Sequence, residues 1–170
     1  MLDEPILGPG FDAPFLVPAE EPAVLGSIQA LVHHEPFAVL CTQAGGQPYG
    51  SLVGFAFSAD LKSFVFATPI ATRKYRLLSA CDHVALLVDN RGRFPDDMMK
   101  VSAVTVTGRA SQVLPGADFE QWAGLLTARH PYLQAFVQAS STALFRVDVV
   151  RYLHVTRFQE VRQWAPASNG

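Results

Sequence analysis

The sequence lacks the features that would direct it to a membrane or to nucleic acid. No apolar run approaches the roughly 18 residues that a membrane-spanning helix needs. The chain opens with Met1-Leu2-Asp3-Glu4, which is acidic and so does not resemble the basic start of a signal peptide. The formal net charge of −2 at pH 7 provides no attraction to nucleic acid or to an anionic membrane. We therefore expect neither as a partner.

Cysteine and charge are both scarce. The two cysteines, Cys41 and Cys81, are far apart and lack C-x-x-C spacing, which predicts two reduced, largely buried thiols in a cytoplasmic protein. Charged residues make up 16% of the 170 residues and hydrophobic residues 49%. The length is most simply that of one domain. Its apolar composition indicates either a large core or an apolar face that a partner covers.

Proline divides the chain unevenly, because five of the twelve prolines lie within residues 1–22. Their density predicts an extended N-terminal arm over 1–22 rather than a folded layer. Pro22 suits the first turn of a helix that runs to about His34. A single domain is predicted over 23–164, followed by a disordered tail over 165–170.

From Phe37 onward, the residue pattern predicts short antiparallel strands. Turn signals such as Gly45-Gly46 separate the apolar runs, and most neighbouring runs have no crossover helix between them. Gly108, inside one run, predicts a bulge or bend. Six or seven such strands with helices at their ends predict a mainly β fold, a closed or partly closed antiparallel barrel. The predicted strands cover 37–42, 48–57, 63–68, 84–89, 101–114, 143–149 and 153–158, and further helices cover 72–80, 116–129 and 131–137.

The third predicted strand leads into a basic turn. The next helix opens at Thr72, and its first turn carries Arg73, Lys74 and Arg76, with no acidic residue between Pro69 and Arg76. Cations are unfavourable at the N-terminal end of the helix dipole, whereas the free N–H groups there suit a phosphate. The turn is therefore a candidate phosphate site. The alternative is a basic surface whose side chains point into water.

The second predicted strand has small residues on one face. Gly50, Leu52, Gly54 and Ala56 alternate onto the same side, and three of these four are small. A flat ring could therefore approach the backbone closely. Tight packing inside a barrel explains the same pattern equally well.

Four segments stand in a characteristic order: Pro48-Tyr49-Gly50-Ser51-Leu52-Val53, then Phe66-Ala67-Thr68 leading into Thr72-Arg73-Lys74, then Val84-Ala85-Leu86-Leu87-Val88, then Val106-Thr107-Gly108-Arg109-Ala110. In this order and spacing the chain resembles the FMN-binding split barrels related to pyridoxamine 5′-phosphate oxidase, over roughly residues 37–158. Within that family it is most similar to the haem-utilisation branch.

The resemblance implies an antiparallel split β-barrel, FMN as cofactor, and a homodimer in which both subunits complete each flavin site. It also implies a set of cofactor-binding residues. These are Arg73 and Lys74 for the phosphate, Thr72 for a further hydroxyl, Thr68 at a strand end beside the flavin, and Ser51, Leu52 and Val53 along the ring and ribityl chain.

The chain also departs from the family pattern. Ser51 stands where pyridoxamine phosphate oxidases proper have an arginine, and Ala103 stands where they have a glutamine, so vitamin B6 oxidation is not implied. Thr156-Arg157-Phe158-Gln159 stands where haem-utilisation relatives often have glycines. We expect a flavin-dependent oxidoreductase of unknown substrate. The alternatives are a non-catalytic haem or flavin carrier and a degenerate barrel retained for dimerisation.

The five histidines predict no metal site. His33 and His34 are adjacent and point about 100° apart on a helix. His83, His130 and His154 lie in separate elements without ligand spacing. We likewise expect no dedicated histidine ligand for haem.

Overall fold

The computed structural model describes residues 21–157 and 160–167. The predicted arm lies outside these residues, except for Glu21 and Pro22, which are already helical. Residues 168–170 of the predicted tail and the predicted strand end at Phe158 also lie outside them. The elements are α1 Glu21–His34, β1 Phe37–Ala44, β2 Gln47–Phe57, β3 Ser63–Pro69, α2 Arg73–Ala80, β4 His83–Asp89, β5 Ala103–Val113, α3 Ala117–Arg129, α4 Gln134–Gln138, β6 Thr142–Thr156 and β7 Glu160–Trp164.

Seven antiparallel strands form one sheet in the order β3-β2-β1-β4-β5-β6-β7. A further pairing of β3 with β6 closes the first six strands into a barrel. Hairpins join β1 to β2 and β2 to β3, because Gly45, Gly46 and Leu61 adopt positive φ at the turns. The predicted mainly β split barrel with peripheral helices is confirmed.

The barrel is split where β2 and β3 separate. Within the described residues, β2 pairs with β3 only over 55–57 against 64–66. Residues 47–54 of β2 pair with β1 alone, and residues 67–69 of β3 pair with β6 alone. The two strands therefore part close to the start of α2, and this opening positions the candidate site.

The last part of the chain differs from the prediction. The strands predicted over 143–149 and 153–158 are one continuous strand, β6, and the sequence pattern missed β7 altogether. The cause is a bulge: Thr107 lies opposite Arg151 but Gly108 lies opposite Val149, so Val150 is an extra residue on β6. An extra residue shifts the inward and outward alternation by one, which makes a continuous strand look like two.

Gly108 marks this irregularity, as predicted, although the extra residue belongs to the partner strand. A Cβ at position 108 would collide with the Asp148 carbonyl oxygen and lie 2.8 Å from Val147 Cγ1. The close approach of the two strands therefore requires glycine here.

Most of the core lies inside the barrel and at the end that α1 closes. Tyr152 is fully buried in this core, where its hydroxyl donates to the Leu61 carbonyl at 2.5 Å and burial raises its pKa. A second cluster lies under α3 and α4. The barrel core includes Val24, Ile28, Leu40, Val53, Phe55, Phe64, Phe66, Leu86, Val106, Phe145 and Tyr152, and the second cluster consists of Ala56, Val65, Ala123, Leu126, Val137 and Leu144.

Arg129, at the end of α3, holds the end of α1. Its Nη2 donates to the carbonyls of Val32 at 2.6 Å and Glu35 at 2.8 Å. Its guanidinium also lies 5.0 Å from the rings of both Phe55 and Phe57. These bonds satisfy carbonyls that the end of a helix leaves without partners.

Both cysteines are free thiols. Cys81 is half-buried but Cys41 is exposed, so the expectation of buried thiols is wrong for Cys41. No helix among the described residues is both long and apolar enough to cross a membrane.

Candidate functional site

The basic turn begins a helix, as predicted, and Thr72 caps it. The Thr72 hydroxyl accepts from the Tyr75 N–H at 3.2 Å and donates to the Pro69 carbonyl at 2.8 Å. Because its proton is used in this way, the hydroxyl of Thr68, 3.1 Å away, must be the donor to Thr72. Neither predicted threonine thus has a free proton for a ligand. Their part in the site is to hold the end of α2 in place.

This cap leaves the first two backbone N–H groups of α2 free. Within the described residues the N–H groups of Arg73 and Lys74 have no acceptor, whereas Tyr75 bonds to the Thr72 side chain and Arg76 to the Thr72 carbonyl at 3.3 Å. Free donors at a helix N-terminus form a ready site for an anion.

Lys74 adds a partly desolvated cation to these donors. The side chain is half-buried, and burial lowers the pKa of its ammonium group. No carboxylate forms an ion pair with Arg73, Lys74 or Arg76 in the part of the chain that the structure describes. A cation that is desolvated without a partner costs free energy, which a bound anion would offset.

Tyr49 and Ser51 of β2 face this turn from across the split. The guanidinium carbon of Arg73 lies 5.2 Å from the centroid of the Tyr49 ring. Ser51 is two residues further along and therefore on the same face of the strand. Its Oγ is buried and has no hydrogen-bond partner among the described residues. A buried hydroxyl without a partner is unfavourable, so a ligand atom or water is expected beside it.

The structure brings together only some of the predicted residues. One turn carries Thr68, Thr72, Arg73 and Lys74. Ser51 lies on the same strand face as Tyr49, whose ring contacts Arg73. The side chain of Val53 is 5% exposed and belongs to the barrel core, so only its backbone could reach a ligand. Sequence reasoning missed Tyr49 as a site residue, although its i, i+2 spacing from Ser51 places both on one face.

Leu52 points away from Ser51, onto the outer face of the sheet. It is 68% exposed, and the strand register places it beside Val39, which in turn lies beside Leu87. Phe37 continues this apolar row and is also exposed. A cavity of about 210 Å³ opens on this outer face, between the row and Arg91. We call Phe37, Val39, Leu52 and Leu87 the outer apolar face.

A second cavity, of about 570 Å³, lies between the end of β5 and the start of α3. Its walls include Trp122 and Arg146, and the Arg146 guanidinium lies 6.0 Å from the Trp122 ring. Arg146 already forms an ion pair with Asp148 at 2.9 Å. This cavity therefore provides no unpaired cation of the kind found at α2.

The two most buried histidines are His130, which is engaged through both ring nitrogens, and His154, which is engaged through one. His130 bonds to the Phe55 carbonyl at 2.9 Å and, through its other nitrogen, to the Tyr132 hydroxyl at 3.3 Å. His154 bonds through Nε2 to the Ser102 hydroxyl at 2.8 Å, whereas its buried Nδ1 has no hydrogen-bond partner among the described residues. Burial, with Arg162 nearby, lowers its pKa. Both histidines are almost fully buried, at 3% and 2% exposure.

Comparison with known proteins identifies the fold. The family model described as pyridoxamine 5′-phosphate oxidase matches residues 25–156. A heme binding protein from Mycobacterium smegmatis aligns with a TM-score of 0.76 at 13% identity, covering 87% of this chain and 60% of that one. A FAD-binding protein from Mesorhizobium loti aligns with a TM-score of 0.62 at 15% identity, covering 76% and 90%.

A third similar structure is a protein from Clostridium acetobutylicum related to general stress protein 26 of Bacillus subtilis, in the pyridoxinephosphate oxidase family. It aligns with a TM-score of 0.67 at 14% identity, covering 86% of this chain and 96% of that one. At such identities, these likenesses show the fold alone. The chain spans about three fifths of the Mycobacterium smegmatis protein. Comparison with curated proteins gives no match.

Proposed function

The chain belongs to the pyridoxamine 5′-phosphate oxidase family, and from this premise we propose that it binds FMN and acts as a flavin-dependent oxidoreductase on a small molecule. The observation that carries the proposal is the first turn of α2. Two cations without carboxylate partners among the described residues, Arg73 and Lys74, flank two free backbone N–H groups. A terminal phosphate matches this arrangement because it carries close to two negative charges and several strong acceptors.

FMN fits these residues better than haem does. The phosphate of FMN is a terminal monoester, whereas each haem propionate carries a single charge. Arg73 would hold the phosphate through a fork of two N–H groups and Lys74 as a point charge. The orphaned Ser51 hydroxyl supplies one further polar contact for the flavin.

A bound flavin supplies hydride chemistry, and the protein supplies binding, orientation and exclusion of water. Tyr49 positions Arg73 from across the split. Thr68 and Thr72 hold the end of α2, so that its N–H groups stay directed away from the helix.

We also propose that the protein is a homodimer and that the outer apolar face is part of its interface. Leu52 and Phe37 are large apolar side chains exposed side by side with Val39 and Leu87. Exposed apolar patches of this kind mark interaction surfaces. A second copy of the chain would cover them, in keeping with the apolar composition of the sequence.

A non-catalytic haem carrier is the second candidate, since the heme binding protein from Mycobacterium smegmatis shares the fold. His130 has both ring nitrogens engaged, and His154 is 2% exposed and so out of reach of a bound haem, which weighs against a dedicated histidine ligand. An absorption spectrum of the purified protein, followed by mass identification of the released chromophore, separates the candidates. A flavin spectrum with the mass of FMN supports the proposal, and a Soret band with the mass of haem supports the carrier.

Purified protein that is colourless, and that gains no flavin spectrum when FMN is added, contradicts the cofactor assignment. Turnover of NAD(P)H by the flavin-loaded protein then distinguishes an enzyme from a flavin carrier. A loaded protein that no reduced donor can reduce contradicts the oxidoreductase assignment while leaving FMN binding intact.

A further inference from the structure

The other end of α2 carries a second cluster of functional groups. Cys81 caps the C-terminus of the helix, and Asp82 and His83 follow it into β4. The Cys81 sulfur, an Asp82 carboxylate oxygen and a His83 ring nitrogen all lie within 4.8 Å of one another. All three residues are half-buried. We propose that these three side chains form a site for a divalent cation of the zinc class.

The donor set fits zinc. A thiolate, an imidazole and a carboxylate are the side chains that bind Zn²⁺, and three protein ligands leave a fourth position open to water. Zinc at bond lengths of about 2.0–2.3 Å holds its tetrahedral ligands roughly 3.5 Å apart. Side-chain adjustments on the order of 1 Å would therefore close the cluster around the ion.

A second observation comes from His83 itself. Its Nε2 is buried and has no hydrogen-bond partner among the described residues. A buried imidazole nitrogen without a partner is unfavourable. A cation bound to the neutral ring through Nε2 would fix the tautomer and give this nitrogen a partner.

The surroundings hold the other two ligands in place. Gln43 Nε2 lies 3.4 Å from Cys81 Sγ, and Arg109 Nη1 lies 2.7 Å from Asp82 Oδ2. Arg109 thereby orients the Asp82 carboxylate, in the manner of an outer partner that orients a metal ligand. The C-terminal carbonyls of α2 add a favourable potential for a cation.

Zinc binding replaces the thiol proton of Cys81 and involves no electron transfer. The thiol of Cys81 loses its proton to solvent as the sulfur–zinc bond forms, and the imidazole and carboxylate bind through existing lone pairs. The proposal is independent of flavin binding. Weighing the histidines alone predicted no metal site; the cluster is recognised only when the adjacent thiol and carboxylate are counted with His83.

Titration of the tag-free protein with zinc chloride against a competing chelator tests the site. We expect one zinc per chain, and zinc should protect Cys81 from a thiol reagent that modifies it in the zinc-free protein. Loss of an outer partner alone weakens metal sites 10- to 100-fold, so Cys81→Ser and His83→Gln should each weaken binding at least about tenfold. The matched controls, Cys41→Ser and His34→Gln, should leave binding unchanged.

Three results would overturn the proposal: wild-type protein that takes up no zinc, binding that survives in both Cys81→Ser and His83→Gln, or equal losses in the controls. Circular dichroism without zinc shows whether each variant folds. If Cys81→Ser does not fold, His83→Gln and the protection of Cys81 in the wild type decide the question.

Discussion

The guanidinium carbon of Arg73 lies 5.2 Å from the centroid of the Tyr49 ring. This contact joins the first turn of α2 to the start of β2, at the point where β2 has left β3 and pairs only with β1. It restricts where the guanidinium can lie without neutralising it, since an aromatic ring carries no net charge. Arg73 is thus positioned and still able to pair with an anion.

Replacing Tyr49 tests this positioning. A cation–π contact at an exposed site contributes roughly 0.5–1 kcal/mol, so Tyr49→Leu should weaken FMN binding about two- to fivefold. Tyr49→Phe keeps the ring and should bind FMN as the wild type does. Fluorescence titration of FMN measures both. Equal losses in the two variants would assign the effect to the hydroxyl and contradict the ring contact.

Replacing Gly108 and Gly124 with alanine should change the free energy of unfolding in opposite directions. A Cβ at position 108 would meet the backbone of β6, whereas a Cβ at position 124 on α3 has nothing within 4 Å. Gly108→Ala should lower the free energy of unfolding by about 1–3 kcal/mol because the strands must move apart. Gly124→Ala should raise it by up to about 1 kcal/mol, since alanine favours helix. Urea unfolding that gave the two variants equal stability would contradict the close approach of β5 and β6.

The same region shows where sequence patterns were sufficient and where they failed. The sequence pattern predicted β1 to β5 to within two residues at each end, because the pairings among these strands contain no register shift. It divided β6 in two because Val150, the bulged residue, interrupts the inward and outward alternation. It missed β7 because this edge strand is short and carries Glu160 and Arg162, which do not look like core residues.

The sequence predicted only part of the candidate site, for a similar reason. The cations and their place at a helix start are local features, so Thr72, Arg73 and Lys74 could be found from sequence. The cap joins residues only three or four positions apart, but the use of the Thr68 and Thr72 protons follows from the folded geometry of the turn. The stacking of Arg73 on Tyr49 depends on how distant segments meet. No local pattern encodes such contacts.

His154 should make stability depend on pH. Burial, with Arg162 nearby, lowers its folded-state pKa, whereas an unfolded histidine titrates near pH 6.5. Between these two values the unfolded chain binds more protons, so the free energy of unfolding should fall as the pH falls below about 6.5.

His154→Gln should flatten this decline, and His34→Gln, which removes an exposed histidine of α1, should not. Urea unfolding at about pH 7.5 and about pH 5 measures the difference, above the range in which most carboxylates titrate. A decline of the same size in His154→Gln and in the wild type would show that other groups cause it.

Substituting two leucines of nearly equal exposure, one inside and one outside the outer apolar face, tests the proposed homodimer. Leu52 is 68% exposed on the outer apolar face, and Leu114 is 69% exposed in the loop after β5. Leu52→Lys would place a charge in the proposed interface and should give a monomer of 18.5 kDa by light scattering. Leu114→Lys should remain dimeric. Wild-type protein that is monomeric at micromolar concentration would contradict the dimer.

The central claim is that the first turn of α2 holds a flavin phosphate, and titrating FMN and riboflavin against Arg73→Ala tests it most directly. Riboflavin lacks the phosphate but keeps the ring. A charge-assisted hydrogen bond contributes on the order of 1.5–3 kcal/mol, so Arg73→Ala should weaken FMN roughly ten- to hundredfold and leave riboflavin unchanged. Arg76→Ala, which removes an exposed cation of the same helix, should alter FMN affinity less than about threefold. Unchanged FMN affinity in Arg73→Ala, or an equal loss of riboflavin, would contradict the phosphate site.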